Sequence, residues 1–592
     1  MQIRHLQIEN FRGIANLAWS PDDNFCCLIG RGDSGKSTIL DALDAALNAK
    51  WLSFSESDFL QCDTRNNIKI EVTVGELSDL LKSDDRFGFY IRGWTSTGNL
   101  HDEPENDDEP VLTIRLSVDS TLEPVWEMVC DRASTPRTLS NRDRALFGLV
   151  RLAGDDARHL TWSQGSVLSR LTGDGREVAA TLSEAYRAAC LNANLHTVSS
   201  LAAAASEAEL HAKALGAYAD GAYAPGLALG RSGLSPSIAL HDGDVPLRLA
   251  GLGTRRLATL GIQKSAIKDG AIILIDEIEH GLEPHRIIGA MSQLRRDLTP
   301  SKDNQDVASV GQVLMTTHSD IVLGETDGSG VYVVNMSRSD RTVTLKTPKN
   351  IPQTSVGNEA FKSRKKSDPI QALLRYAPRA MFARRILVVE GMTEVGLLTG
   401  FSEIWTDLHD NKSISQLGVA ITDGHGSNAC LLALSLAGLG YTVAMFRDSD
   451  VPFDPTDVAD LLVGKVPVFE YGELLNTEQA LLKDADDTSV QKLLDYAREK
   501  HGNESLNNYL RGSIPCVTQN KNNTNFSEWA KLESKSGSEL RTIIANVMSK
   551  KSIFKDRIIG RGLAQHAWGI AKANPTSTLA LTLADIERWV YG

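Results

Sequence analysis

The chain has 592 residues, 42% of them hydrophobic and 23% charged, with a formal net charge of −13. That balance belongs to a folded chain of several domains and excludes collagen, a coiled-coil rod or wholesale disorder; no stretch approaches the roughly 18 unbroken apolar residues of a membrane span. Seven scattered cysteines without a CxxC pair speak against a disulfide framework and a structural zinc site.

A reducing, cytoplasmic setting is therefore expected, and the opening Met1-Gln2-Ile3-Arg4-His5 has no apolar signal core. The acidic total is not the footprint of a chain coated in DNA-binding surface, so any nucleic-acid contact must use local basic patches. Two runs qualify. One is Lys362, Arg364, Lys365 and Lys366; the other is Lys550, Lys551, Lys555, Arg557 and Arg561. Each reads equally as a solvated face. The acidic run from His101 to Glu109 reads as an exposed loop.

In chain order, residues 2–9 alternate as a strand and Phe25–Ile29 forms an apolar second one. A glycine-rich turn and a helical pattern over Ser37–Leu47 follow. Ile68–Val74 and Val111–Val118 are further predicted strands. From about 176 to 220 alanine becomes dense and favours helix, until Gly and Pro break the pattern. Ile272–Ile275, Val313–Met315 and Val331–Val334 are short apolar strands of the kind buried in a parallel sheet. After a polar, basic linker, Ile386–Val389 opens a new strand-then-helix unit. Val443–Phe446 is another apolar strand, and the region beyond about 480 reads as helical.

Gly30-Arg31-Gly32-Asp33-Ser34-Gly35-Lys36-Ser37 fits GxxxxGK[ST] between a predicted strand and a predicted helix. Backbone N–H groups of Gly30, Gly32, Asp33, Ser34, Gly35 and Thr38 would surround phosphates at a helix N-terminus. Lys36 would reach the β and γ phosphates of ATP, and the Ser37 hydroxyl would ligate Mg²⁺. Far downstream, Ile272–Ile275 delivers Asp276 and Glu277. Adjacent acids at the end of a buried strand are costly unless they serve a metal or a water. Asp276 would support the Mg²⁺ shell, and Glu277 would polarise the attacking water.

The residues after these acids resemble an ABC-type ATPase. Glu279-His280-Gly281-Leu282-Glu283-Pro284 looks like a D-loop, and Thr316-Thr317-His318-Ser319 like a switch-histidine segment. Gly251-Leu252-Gly253-Thr254-Arg255-Arg256 stands where the signature belongs but departs from the LSGG pattern. Trp162-Ser163-Gln164-Gly165 resembles the Q-loop of SMC-like repair ATPases, and Glu9-Asn10-Phe11-Arg12-Gly13 resembles their opening. The resemblance implies a dimer sandwiching ATP. Gly251, Gly253 and Arg255 would face the other subunit's γ-phosphate, with Gln164 and His318 at the nucleotide in their own subunit.

In the second half, Val388-Val389-Glu390-Gly391-Met392-Thr393-Glu394 places Glu390 at a strand tip and Glu394 in the next helix's first turn. Phe446-Arg447-Asp448-Ser449-Asp450 puts two more acids at i and i+2. Either motif alone reads as an acidic βα turn. Together they form an all-oxygen donor set suited to Mg²⁺ or Mn²⁺. The pattern resembles the TOPRIM domain, with Thr422-Asp423-Gly424-His425-Gly426-Ser427-Asn428 like its glycine-rich middle turn.

An SMC-like ATPase followed by TOPRIM is the architecture of the OLD (overcoming lysogenization defect) nucleases, which the chain resembles over nearly its whole length. The resemblance implies an α/β fold divided as follows: ATPase over 1–165 and 241–350, helical and dimerising insertion over 166–240, linker over 351–380, TOPRIM over 381–480 and a helical region over 481–592. It also implies Lys555 as a catalytic cation and Glu478 as a further metal ligand. The activity it implies is ATP-linked, metal-dependent DNA cleavage in phage defence, by a homodimer or higher oligomer, alongside a helicase or a reverse transcriptase–DNA element. A topoisomerase would need a separate tyrosine-bearing domain, and a primase of this kind a cysteine zinc site. The competing function is a non-cleaving, ATP-driven nucleic-acid sensor or clamp.

Overall fold

The computed structural model describes all residues except 50–51, 153–187, 189–194, 216–221, 230–235, 247–248, 266–269, 299–309, 351–368 and 519–524. The chain divides into two compact units, Met1–Leu345 and Lys346–Gly592.

The first unit is built on a 14-stranded sheet. Its parallel part runs, in spatial order, Leu149–Leu152, Ala271–Ile275, Val310–Thr316, Phe25–Ile29 and Val331–Met336. Every residue of Ala271–Ile275, Val310–Thr316 and Phe25–Ile29 is buried, because these strands are covered on both faces. The antiparallel part runs Ile14–Trp19, Gln2–Phe11, Ile68–Gly75 and Glu109–Val118. It alternates where one face meets solvent and wraps the helix Lys36–Leu47 into a common core. Parallel strands deliver their C-terminal ends to one edge, where an α/β sheet binds ligands.

The second unit carries a four-stranded sheet, all parallel, in the order Val419–Asp423, Arg385–Val389, Thr442–Arg447 and Val468–Glu470. Helices Met392–Leu408 and Ala429–Gly438 connect the first three strands. Beyond Thr477 the described chain is helical, ending in Arg557–Ala573 and Thr578–Tyr591. The last helix is tied to the sheet: the Arg385 guanidinium donates to the carbonyls of Trp589 (2.6 Å) and Val590 (2.7 Å).

Three expectations change. The insertion expected to be helical over 166–240 includes the helix Ser199–Ala214, but its Gly/Pro-rich part pairs Tyr223–Leu229 with Pro236–Asp242 as an antiparallel hairpin. Pro225, Gly226 and Pro236 lie within the paired register; such residues end a helix without preventing a short two-stranded ribbon. The linker expected over 351–380 is, from Pro369, a helix (Pro369–Tyr376) with Ile370, Leu373 and Leu374 buried. The acidic run is also more than a solvated loop: Asp108 accepts from His101 (2.8 Å), and Glu109 receives both Nε (2.8 Å) and Nη2 (3.0 Å) of Arg4.

Candidate functional sites

The first candidate site lies in the first unit, at the C-terminal edge of its parallel strands. Phe25–Ile29 ends at Gly30, whose φ of +150° places a hypothetical Cβ 2.5 Å from the Val334 carbonyl oxygen. Only glycine fits there. Asp33 (φ 60°) and Gly35 (φ 94°) take left-handed turns that curl the loop before the helix starts at Lys36. The buried Lys36 ammonium donates to the carbonyls of Gly30 (3.1 Å) and Arg31 (2.9 Å). Burial lowers its pKa, while the charges of Glu277, Asp276 and Asp33 oppose that shift.

Asp276 is the hub of this site. Its Oδ1 accepts from Ser37 (3.0 Å), which is 239 residues away in sequence, and from Thr316 (2.6 Å). Its Oδ2 lies 3.6 Å from the Arg151 guanidinium, which also pairs with Asp41 on the Lys36–Leu47 helix. Thr316 in turn accepts from the Glu277 N–H (2.9 Å). Glu277 itself sits at φ 48° with its side chain exposed beyond the strand. Thus Ser37 meets Asp276, with Lys36 and Glu277 beside them, a donor set whose chemistry suits a Mg²⁺–nucleotide complex.

Glu279 ties the next two segments: its carboxylate accepts from Thr317 Oγ1 (2.8 Å) and from the His318 N–H (2.6 Å). His318 is exposed beside them. Arg256 donates to the carbonyls of Asp276, Glu277 (2.8 Å) and His280 (3.3 Å), fastening the helix Leu252–Ser265 to the acidic turn. Gly253 is required by close approach, since a Cβ there would meet the Gly281 carbonyl at 2.6 Å; Gly251 faces open space. Gln164 lies outside the described residues. Sequence reasoning placed Glu279 and Thr316 in their motif-like segments without giving either a role, and it overlooked Arg151. A threonine closing an apolar strand and an arginine in a short strand carry no spacing signal.

The second candidate site is at the carboxyl ends of the four-stranded sheet. Glu390 ends Arg385–Val389, and its N–H donates to the Phe446 carbonyl on the neighbouring strand (3.1 Å). Glu394 is buried in the first turn of Met392–Leu408. Asp448 follows Thr442–Arg447. The Thr477 hydroxyl stands between them, 3.1 Å from Glu394 Oε1 and 3.0 Å from Asp448 Oδ1, with the buried Tyr471 hydroxyl 3.4 Å away. Both carboxyls are pushed well above the usual carboxylate range, first by burial; for Asp448 the Glu394 charge is the next largest cause.

Glu478, beside Thr477, is buried and raised for the same reason, with the Lys555 ammonium opposing the shift and Asp450 adding to it. Asp450 is exposed, while Ser449 between the two aspartates turns inward and accepts from the Leu475 N–H (2.8 Å). Arg447 Nε lies 3.9 Å from Glu390 Oε2 and bonds the Asp448 carbonyl (2.7 Å). Among the described residues no three His, Cys, Asp or Glu side chains stand close enough to share one ion. The donor chemistry nevertheless fits a divalent cation. Like-charged carboxylates buried side by side are costly unless a cation or a proton joins them, and hard oxygens alone suit Mg²⁺ or Mn²⁺. Thr477 and Tyr471 were not singled out from the sequence, because neither belongs to a carboxylate motif.

Comparisons with known proteins agree with this division. Residues 1–100 match the family model of the AAA ATPase domain. Residues 198–324 match an AAA domain described as putative AbiEii toxin, Type IV TA system. Residues 381–450 match the overcoming lysogenization defect protein-like TOPRIM domain. Among solved structures, the chain is similar to an SmcHead bound to the C-winged helix domain of ScpA, with a TM-score of 0.32 and 16% identity over 59% of this chain and 98% of that one. The SMC head domain from Thermotoga maritima gives a TM-score of 0.29 and 14% identity, over 59% and 99%. No curated protein matches the chain. No helix among the described residues is long and apolar enough to cross a membrane. The fold is thus α/β: an ATPase domain matched by AAA family models, an OLD-like TOPRIM domain and a helical C-terminal region.

Proposed function

From a chain that has the architecture of the OLD family, an ATPase joined to an OLD-like TOPRIM domain, we propose an ATP-hydrolysing, metal-dependent DNA endonuclease. The observation that carries this reading is the buried Glu394–Asp448 pair joined through Thr477, with the buried Glu478 carboxyl next to Thr477 in the chain. Mg²⁺ or Mn²⁺, when bound, supplies an activated water and stabilises the leaving oxygen. Glu390, Glu394, Asp448, Asp450 and Glu478 would hold the ions. Thr477 keeps the two buried carboxylates oriented. Lys555 would neutralise charge on the phosphorus centre during displacement.

In the ATPase unit, Lys36, Ser37 and Asp276 would hold Mg²⁺–ATP and Glu277 would orient the hydrolytic water. ATP then controls assembly or access, since phosphodiester hydrolysis itself needs no nucleotide. The likeness to ABC-type ATPases supports a homodimer with Gly251, Gly253 and Arg255 completing the opposite site. The likeness to the OLD family supports a role in phage defence, alongside a helicase or a reverse transcriptase–DNA element. The sensor reading gives the buried carboxylates no task that offsets their cost. Supercoiled plasmid incubated with Mg²⁺ or Mn²⁺, with and without ATP, tests the proposal: nicked or linear product is expected, and intact plasmid under all conditions would favour the sensor.

A further inference from the structure

Lys551 and Lys555 lie in the short turn joining helix Gly537–Lys550 to helix Arg557–Ala573, and Lys550 and Arg557 are the helix-end residues that flank it. All four are exposed in a chain whose net charge is −13. Among the described residues none of the four forms an ion pair, whereas the next cation, Arg561, is held by Glu403 at 2.5 Å. The Lys555 charge is felt by Glu478 in the carboxylate cluster.

The turn is held rigidly from below. Ile553 and Phe554 are buried, and the His501 ring bonds the Ile553 carbonyl at 2.6 Å. The Phe554 carbonyl accepts from Thr393 Oγ1 (3.2 Å), on the residue next to Glu394. Glycines close the contact: a Cβ on Gly396 would lie 2.4 Å from the Arg557 carbonyl, and one on Gly560 would lie 2.6 Å from the Thr393 carbonyl. The backbone that carries the cations is therefore packed directly against the helix start that carries Glu394.

Two apolar groups sit among them. Ile558 is 78% exposed and Tyr509 is 39% exposed, with Lys551 Nζ 5.2 Å from the Tyr509 ring centroid. Asp556 already satisfies the N-terminus of the second helix by accepting from Ile558 N–H (2.7 Å) and Ile559 N–H (3.0 Å). Anion binding here falls to the side chains.

We infer that this turn is the surface on which the nuclease holds its nucleic acid: Lys550, Lys551 and Arg557 take backbone phosphates, and Tyr509 and Ile558 pack against sugar and base. The inference rests on the nuclease reading and adds where the substrate is gripped. Unpaired cations interleaved with exposed aromatic and aliphatic groups match a nucleic acid, which offers charge and flat apolar faces together. An acidic protein surface would use the charges and leave Tyr509 and Ile558 idle.

The test is fluorescence anisotropy of labelled duplex and single-stranded DNA with the full-length protein in EDTA, across a salt titration. The Lys550→Gln/Lys551→Gln variant should bind about ten-fold more weakly, with a salt slope reduced by about one per lysine removed. Ile558→Ser and Tyr509→Ala should weaken binding several-fold at unchanged slope. Lys531→Gln, an exposed cation on the helix Phe526–Leu532, should bind as wild type. Thermal midpoint and ATP turnover check that each variant is folded. Wild-type affinity and slope in all variants would overturn the inference; if wild type still cuts plasmid, the nuclease reading stands. If the lysine variant keeps DNA but loses self-association in light scattering, the turn is a protein interface and the inference also fails. A wild type that neither binds nor cuts DNA would sink both.

Discussion

Thr477 is one hydroxyl between two buried carboxylates. It has a single proton to donate, so only one of Glu394 and Asp448 is satisfied by it at a time. Replacing it by valine leaves both without a neutral donor. Thr477→Val is expected to raise the Mn²⁺ concentration for half-maximal cutting by about ten-fold, as loss of a residue that orients metal ligands does. Thr477→Ser should restore it, and a Mn²⁺ requirement unmoved in Thr477→Val would remove Thr477 from the site. In the ATPase, Lys36→Ala should abolish nucleotide binding, because the ammonium that faces the phosphates is gone. Glu277→Gln should bind ATP and not hydrolyse it, since an amide polarises water poorly. Fluorescent-nucleotide binding measured with phosphate release separates the two, and normal turnover in both would overturn the assignment.

The helix Met392–Leu408 carries Glu394 and presses its Thr393–Gly396–Gly400 face backbone to backbone against Arg557–Ala573. Any side chain at Gly396 must push the two apart. Gly396→Val should therefore cost about 1–3 kcal/mol of stability and lower the thermal midpoint of the second unit by several degrees. It should also impair cutting and spare ATP turnover; an unchanged midpoint would contradict the close packing. Strands and helix starts here were legible from sequence because their signals are local. Phe25–Ile29 is an unbroken apolar run, and Gly35-Lys36-Ser37 fixes where the next helix begins. The acids of the second site were legible as strand-end residues. The Gly396–Gly560 contact was not, since a separation of 164 positions leaves no periodic trace of which helices meet. Nor was the hairpin of Tyr223–Leu229, where glycine and proline mimic a loop. The role of Thr477 was hidden because a lone threonine acquires one only when a distant strand end arrives beside it.

At the scale of the molecule, two units with separate hydrophobic cores hold the two candidate sites. Each core should survive loss of a polar residue in the other. The proposed homodimer predicts that static light scattering at micromolar concentration gives at least a dimer; monomer alone, with and without ATP, would contradict that proposal. The central claim is that the TOPRIM carboxylates cut DNA. Its most direct test is plasmid cleavage by wild type and Asp448→Ala in one Mn²⁺ titration, with ATP turnover measured in the same samples. Cleavage by wild type, none by Asp448→Ala and equal ATP turnover are expected; equal cleavage by both proteins would show that the nuclease lies elsewhere.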